Sequence, residues 1–410
     1  MMNVLVISYT FPPEGGIGGR RWSKFAKYLG YLNIPTHVIC AKTPLFYESN
    51  DYPTWLTPID TNYPDILRLT PKSLLGKMNY HLALAWVKYK YAGNFYDPSI
   101  FWYKSLIPKL VEIVSQQEIT HVIASGGPFT FLADVAAIKH KFPSVKFIAD
   151  FRDPWVNNKT SFGYDSLSES RFHFEKELQM KVLKDFDIVV SVAEQMTEYF
   201  KSQVPFIMRG KFHTIHNGFD PEDFYSFTGE TFTSSNVGIK KFSFIGSVYN
   251  KTQKHIEAFC SAIENFQESD FQFDFYGDMN ARTMSQLSSK KNVTIHGKVP
   301  NTQAMKALSE SDVGILILTD DITYSFSTKF CEYVQYKIPI WVISENGFTP
   351  GYVKENSIGI HSEPNMESVI NGLKAWQTAD RSEFYKKFNT GQFQISTLTE
   401  SYIKLLNASA

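Results

Sequence analysis

The chain alternates short, unbroken apolar runs with longer stretches in which apolar residues return every three or four positions. Val4-Leu5-Val6-Ile7-Ser8 is a run of the first kind. A glycine-rich turn follows, and Arg20 to Leu29 then places Trp22, Phe25, Ala26 and Leu29 on one helical face. His37–Cys40, His121–Ser125, Lys146–Ala149 and Asp187–Ser191 continue the strand pattern. Strands apolar on both faces, alternating with helices, predict a parallel sheet covered on both sides. The pattern restarts after His216-Asn217-Gly218-Phe219-Asp220, with strands expected at Phe242–Gly246, Phe271–Tyr276, Val293–His296, Val313–Leu318 and Ile338–Ile343. The fold class is therefore α/β, with two doubly wound Rossmann-like domains. The expected division is residues 1–217, a linker at 218–240 rich in Ser, Thr and Gly, a second domain at 241–395, and a C-terminal helix at 396–410. That helix carries Leu398, Tyr402, Leu405 and Leu406 on one face, with Thr397 and Glu400 as a capping box and the N-terminal domain as one place for it to pack. Two such domains would set the carboxyl ends of two parallel sheets across a cleft, where ligands of open α/β sheets bind.

Charge and composition narrow the function classes. Lysine plus arginine number 41 and aspartate plus glutamate number 41, so no net field favours nucleic acid. Cys40, Cys260 and Cys331 are too few and too scattered for a disulfide framework. The ten histidines show no metal-ligand spacing, so no metal and no cofactor is expected. The start has no basic n-region, and no apolar run is long enough to span a bilayer, which leads us to expect a cytoplasmic protein, soluble or peripheral on a membrane. One segment favours the peripheral reading: Lys72, Lys77, Lys88 and Lys90 interleave with Leu74, Leu75, Met78, Leu82, Leu84 and Trp86. An ordinary helix packed on the N-terminal domain is the alternative.

The loops after the strands carry the candidate chemistry. Thr10 to Arg21 holds Gly15, Gly16, Gly18 and Gly19, which let backbone approach a ligand closely. Arg20 and Arg21 oppose the helix dipole unless they hold an anion. The dinucleotide fingerprint fails at Arg21, and there is no Walker A sequence. Asp150-Phe151-Arg152-Asp153-Pro154-Trp155 crowds three charges beside two aromatics; a ligand site and a structural Asp–Arg pair are both open to it. Ser125-Gly126-Gly127-Pro128-Phe129-Thr130 offers backbone amides. In the second half, Gly246-Ser247 mirrors the first glycine turn, with Lys251 and Lys254 as phosphate partners. Ser327 and Thr328 are natural N-caps, Lys329 sits in an unfavourable first-turn position unless an anion is bound, and Glu332 follows one turn later.

Taken in order, six segments resemble retaining glycosyltransferases of the GT-B fold, in particular glycosyltransferase family 4. They are Phe11-Pro12-Pro13-Glu14-Gly15-Gly16, Asp150–Trp155, His216–Asp220, Phe244-Ile245-Gly246, His296-Gly297-Lys298-Val299-Pro300 and Ser327–Tyr333. The resemblance implies a nucleotide-sugar donor held by the C-terminal domain and a glycan or lipid-linked acceptor held by the N-terminal one, in surface polysaccharide or glycoconjugate synthesis. It implies donor contacts at Gly16, Gly18, Gly246, Ser247, Lys251, Lys254, Lys298, Val299, Tyr324, Ser327, Thr328, Lys329 and Glu332. Acceptor contacts fall at Arg20, Arg21, Asp153 and Trp155, and catalytic roles at Asp150, Arg152 and Lys329. The chain departs from the family where Tyr324 replaces the first glutamate of E-x7-E, where Ser247 replaces an arginine, and where Thr130-Phe131-Leu132 lacks a histidine. These departures leave two rivals: a nucleotide-sugar epimerase of the same fold, and an inactive sugar-nucleotide-binding protein.

Overall fold

The computed structural model describes residues 1–13, 17–42, 53–68, 71, 73–91, 97–156, 167–223, 239–248, 250–266, 270–319 and 325–408 of the 410-residue chain. The chain forms two compact units, Met1–His216 with Thr399–Ala410, and Asn217–Leu398.

The first unit is built on β1 (Val4–Ser8), β2 (Thr36–Ala41), β3 (Leu56–Ile59), β4 (His121–Gly126), β5 (Lys146–Phe151), β6 (Ile188–Ser191) and β7 (Phe212–Thr214), in the order β3-β2-β1-β4-β5-β6-β7. Every pairing is parallel. β1 and β4 are buried along their whole length because helices cover both faces. The register sets Ser8 beside Ser125, and Ser125 beside Asp150. Three polar residues thus share the carboxyl edge of the central strands.

The second unit repeats the plan with β8 (Lys240–Ile245), β9 (Phe271–Tyr276), β10 (Val293–Gly297), β11 (Val313–Ile317), β12 (Ile340–Ile343) and β13 (Gly359–Ser362), ordered β10-β9-β8-β11-β12-β13 and again all parallel. Its aromatic surplus is largely core: Phe242 packs on Phe271, Phe273, Trp341 and Trp376.

Several sequence-based expectations need correction. β3, β7 and β13 were not foreseen. All three are edge strands of three or four residues, and β3 contains Pro58, so none shows a long apolar run. β12 begins at Ile340 rather than Ile338, since Lys337 holds φ at +50° and turns the chain out of the preceding helix. Lys240, taken as the last linker residue, opens β8; linker residues 224–238 lie outside the described residues. The last helix runs Ile395–Ala408, so Thr397 and Glu400 lie inside it and form no box ahead of it. Tyr402 of that helix packs edge-on against Trp22 and Phe25. All three cysteines are buried and none forms a disulfide. Among the described residues no helix is long and apolar enough to cross a membrane.

Candidate functional site

At the carboxyl edge of the first sheet the polar groups satisfy one another. Arg21 enters the sheet edge from the helix Ile17–Tyr31 and is buried. Its Nε and Nη2 donate to the two Asp150 oxygens at 3.1 and 3.0 Å, and its remaining donors reach the carbonyls of Ile215 and His216 at 2.9 Å each. Asp150, fully buried, also accepts from Trp22 Nε1 at 2.7 Å, Ser125 Oγ at 3.1 Å and the Tyr402 hydroxyl at 3.3 Å. A carboxylate holding this many donors in the interior is a structural pin. The catalytic and acceptor roles expected of Asp150 and Arg21 therefore fall on two buried side chains that hold each other. Both belong to one buried network in which all three guanidinium nitrogens donate.

The neighbouring loops close in the same way. Arg152 donates from Nε to the Gly126 carbonyl at 2.9 Å and from Nη2 to the Gly127 carbonyl. Gly127 sits at φ +97°, which favours glycine, and Gly18 lets the Arg152 guanidinium lie against the first helix, where a Cβ would come within 2.6 Å of Nη1. Burial lowers the Arg152 pKa, while Asp153 and Asp150 oppose that; burial raises Asp153, with Arg152 opposing. The amides of Phe129 and Thr130, in the loop expected to offer backbone amides, donate to Asp97 Oδ2 at 2.6 and 2.7 Å. Asp97, which sequence reasoning missed, already fills that place. Trp155 is likewise corrected. It is buried, stacked on Phe129 at 5.4 Å with Nε1 on Glu175 at 2.6 Å, so it is core and not a sugar platform. Arg20 remains exposed, and Gly16 lies outside the described residues.

His216 and Glu194 were also missed as a pair. Nε2 of His216 lies 3.0 Å from Glu194 Oε1, and Nδ1 lies 2.9 Å from the Val192 carbonyl. The histidine holds the Glu194 pKa down, chiefly through the hydrogen bond. The two residues lie 22 positions apart, and only the β6–β7 pairing brings their segments together.

The second unit is arranged differently. β8 and β9 are each followed directly by a glycine and β10 ends in one, all of positive φ: Gly246 at +139°, Gly277 at +131° and Gly297 at +67°. The three stack, with the Gly246 amide on the Tyr276 carbonyl and the Gly277 amide on the Gly297 carbonyl, both at 2.7 Å. A Cβ on Gly277 would strike the Gly246 carbonyl, so Gly277 is demanded sterically as well as by φ, while Gly297 has open space and is favoured by φ alone. Across Gly246 lies Lys329. Its ammonium occupies the space a Gly246 Cβ would need and sits 5.2 Å from the Phe244 ring centroid.

The helix Thr328–Gln335 places that lysine. Ser327 is the N-cap, its side chain accepting from the Phe330 amide at 3.2 Å. The buried Tyr333 hydroxyl donates to the Ile315 carbonyl at 2.9 Å and accepts from the Ile245 amide at 3.4 Å, tying the helix to β11 and β8. Desolvation lowers the Lys329 pKa, with Glu332, one turn on, opposing it. Among the described residues the Lys329 ammonium donates no hydrogen bond. Lys329 thus sets a half-buried cation in the first turn of a helix, beside a glycine turn.

Of the other donor candidates, Ser247 and Thr328 are half-buried beside this turn and Lys251 is exposed. Lys254 is held by Glu345 at 2.8 Å, and Glu345 also lies 3.2 Å from His255 Nε2. Lys298 is exposed, 3.9 Å from Asp278; Val299 packs on the second unit's core. Tyr324 lies outside the described residues. Among the described residues no group of three or more His, Cys, Asp or Glu is placed to hold a metal ion.

Solved structures similar to this chain share its whole length. A glycosyltransferase from Rickettsia africae superposes with a TM-score of 0.65 at 14% identity, covering 100% of this chain and 98% of the other. HepE of Anabaena, in complex with UDP and glucose, gives 0.61 at 11% identity and covers 100% of each. The UDP-GlcNAc 2-epimerase of Methanocaldococcus jannaschii gives 0.55 at 14%, covering 99% and 100%. No family model matches the chain, and no curated relative matches it. At these identities the likeness shows the fold: two Rossmann-like α/β domains of the GT-B type.

Proposed function

We propose that this protein is a glycosyltransferase that moves a sugar from a nucleotide-sugar donor to a glycan or lipid-linked acceptor, with retention at the anomeric carbon. The observation that carries the reading is Lys329: a desolvated ammonium over the Gly246 turn, at a helix start, with Glu332 one turn behind it. That set suits a nucleoside diphosphate, with Lys329 and the first-turn amides on the phosphates and the Glu332 carboxylate on ribose hydroxyls. The structural likeness to a glycosyltransferase and to HepE holding UDP and glucose points the same way.

In the proposed reaction the bond between the anomeric carbon and the diphosphate oxygen breaks, and its electron pair leaves with the diphosphate. Lys329 stabilises that departing charge, worth most in a site that excludes water. The acceptor oxygen bonds to the cationic sugar on the face just vacated, and its proton passes to the departing phosphate. The protein needs no covalent nucleophile and no metal in this scheme. Tyr324, in place of a carboxylate, favours a deoxy or acetamido sugar over glucose or mannose, because it offers one hydroxyl and an apolar ring.

Two experiments test this. Nucleoside diphosphates should raise the melting temperature, as a ligand that binds only the native state does. A panel of nucleotide sugars should then release nucleotide only when acceptor extract is present. An isomerised donor without acceptor would instead establish the epimerase reading, which the likeness to UDP-GlcNAc 2-epimerases keeps in play. Binding without either product would leave an inactive sugar-nucleotide-binding protein.

A further inference from the structure

The helix Leu74–Lys90 is apolar on two sides, and the fold uses only one. Ser73 caps its start, accepting from the Gly76 amide at 3.0 Å. The inward stripe is Gly76, Tyr80, Ala83, Leu84 and Val87, at spacings of three and four. Val87 is buried and joins Ile100 and Phe101 in a small core of its own, with Tyr63, Leu67 and Tyr91 against it. The outward stripe is Leu74, Leu75, Met78, Leu82, Trp86 and Tyr89, all exposed, Leu74 and Tyr89 to 89% each. At about 100° per residue these six side chains fall within about 120° of arc. Together they make one continuous apolar strip on the surface of the first unit.

Charge says what covers the strip. The helix contains no acidic residue. Lys77 and Lys88 flank it on one side and Lys90 on the other, with the Lys90 ammonium 5.1 Å from the Trp86 ring centroid. An exposed apolar patch rimmed by cations marks an interaction site for an anionic partner. A second copy of this chain would bring the lysines of both helices against one another. A flat anionic surface takes the strip and its rim together, with Leu and Met in the acyl boundary, Trp86 and Tyr89 at headgroup level, and lysines on the phosphates.

We infer that the Leu74–Lys90 helix docks this protein on anionic phospholipid bilayers, lying in the interface with the Leu74-to-Tyr89 strip inward. The inference stands apart from the donor site, which lies in the other unit.

Co-sedimentation of the full chain with vesicles tests it. Phosphatidylcholine vesicles containing about one third phosphatidylglycerol should pellet most of the protein, while pure phosphatidylcholine should leave it in the supernatant. Two triple variants, Lys77→Glu/Lys88→Glu/Lys90→Glu and Leu74→Ser/Leu82→Ser/Trp86→Ser, should each lower the bound fraction at least about fivefold. Both change exposed side chains, so their melting temperatures and their response to nucleoside diphosphate should match the parent. That control separates failure of docking from failure of the donor site. Wild-type protein remaining in the supernatant with anionic vesicles overturns the inference, as does binding that neither variant weakens. A concentration-dependent dimer in gel filtration, abolished by the serine variant and accompanied by no vesicle binding, assigns the strip to a second copy and overturns it too.

Discussion

The two units share a strand order and differ in what their carboxyl edges do with charge. In the first, Arg21, Asp150, Ser125 and Tyr402 close on one another, Arg152 closes on Gly126 and Gly127, and Asp97 fills the amides of Phe129 and Thr130. In the second, the Lys329 ammonium over Gly246 donates no hydrogen bond to the described residues. One topology thus supports opposite solutions. A closed network stabilises its sheet edge and has nothing left to offer a ligand, whereas an incompletely satisfied cation costs stability and holds binding capacity in reserve. The contrast is consistent with the proposed donor site in the second unit, and it shows that the charged residues dense in sequence near Asp150 hold one another.

The comparison breaks most readily at Asp150. Asp150→Ala strands a buried guanidinium and should cost about 3–5 kcal/mol in urea unfolding. If the variant unfolds at the parent's midpoint, the network is not the pin described here. Lys329→Met should act with the opposite sign on stability. Removing a half-buried cation whose charged form burial disfavours should raise the melting temperature of the unliganded protein by a few degrees, about 1 kcal/mol. The same change should weaken nucleoside diphosphate binding about 100-fold, since a charge-assisted phosphate contact is lost. A titration showing unchanged affinity would remove Lys329 from the site.

A smaller effect is expected at Glu332. Glu332→Gln keeps the shape and removes the charge, so affinity for nucleoside diphosphate should fall about tenfold, with the melting curve unmoved. Equal isotherms for the two proteins would mean that the carboxylate meets no ribose.

The smallest effect belongs to the first unit's interior. Burial, then the nearby Asp97, raises the Asp134 carboxyl from 3.8 to about 7, with Lys181 opposing. The folded state therefore holds a proton there that the unfolded chain has released between about pH 4 and pH 7. This group's contribution is fully favourable below its unfolded value and is lost as pH rises through about 7. Asp134→Asn should flatten that dependence, raising the melting temperature by about 2–4 °C at pH 8 relative to the parent, by roughly a third as much at pH 5, and little at pH 4. Parallel melting profiles across that range would exclude Asp134 as the source.

Much of the frame was legible from pattern alone. β1, β4 and β11 are central and buried along their whole length, so burial on both faces wrote their positions into the chain. The glycine at 246 and the Ser327–Lys329–Glu332 spacing were legible as well, because a positive-φ turn and an N-cap are local demands. Edge strands and helix ends were not, since short elements are decided by their neighbours.

Sequence by itself determined the α/β alternation, the doubling of the domain, and the residue types at each loop. Tertiary structure alone decided which charges were already partnered. Asp150 meets Arg21 from 129 positions away and Tyr402 from 252 away, and Asp97 reaches Phe129 across 32. The physical reason is that a charged side chain reads the same in sequence whether or not an acceptor lies near it. Only packing brings donors and acceptors within about 3 Å, and only packing sets the Lys329 ammonium against the Gly246 turn.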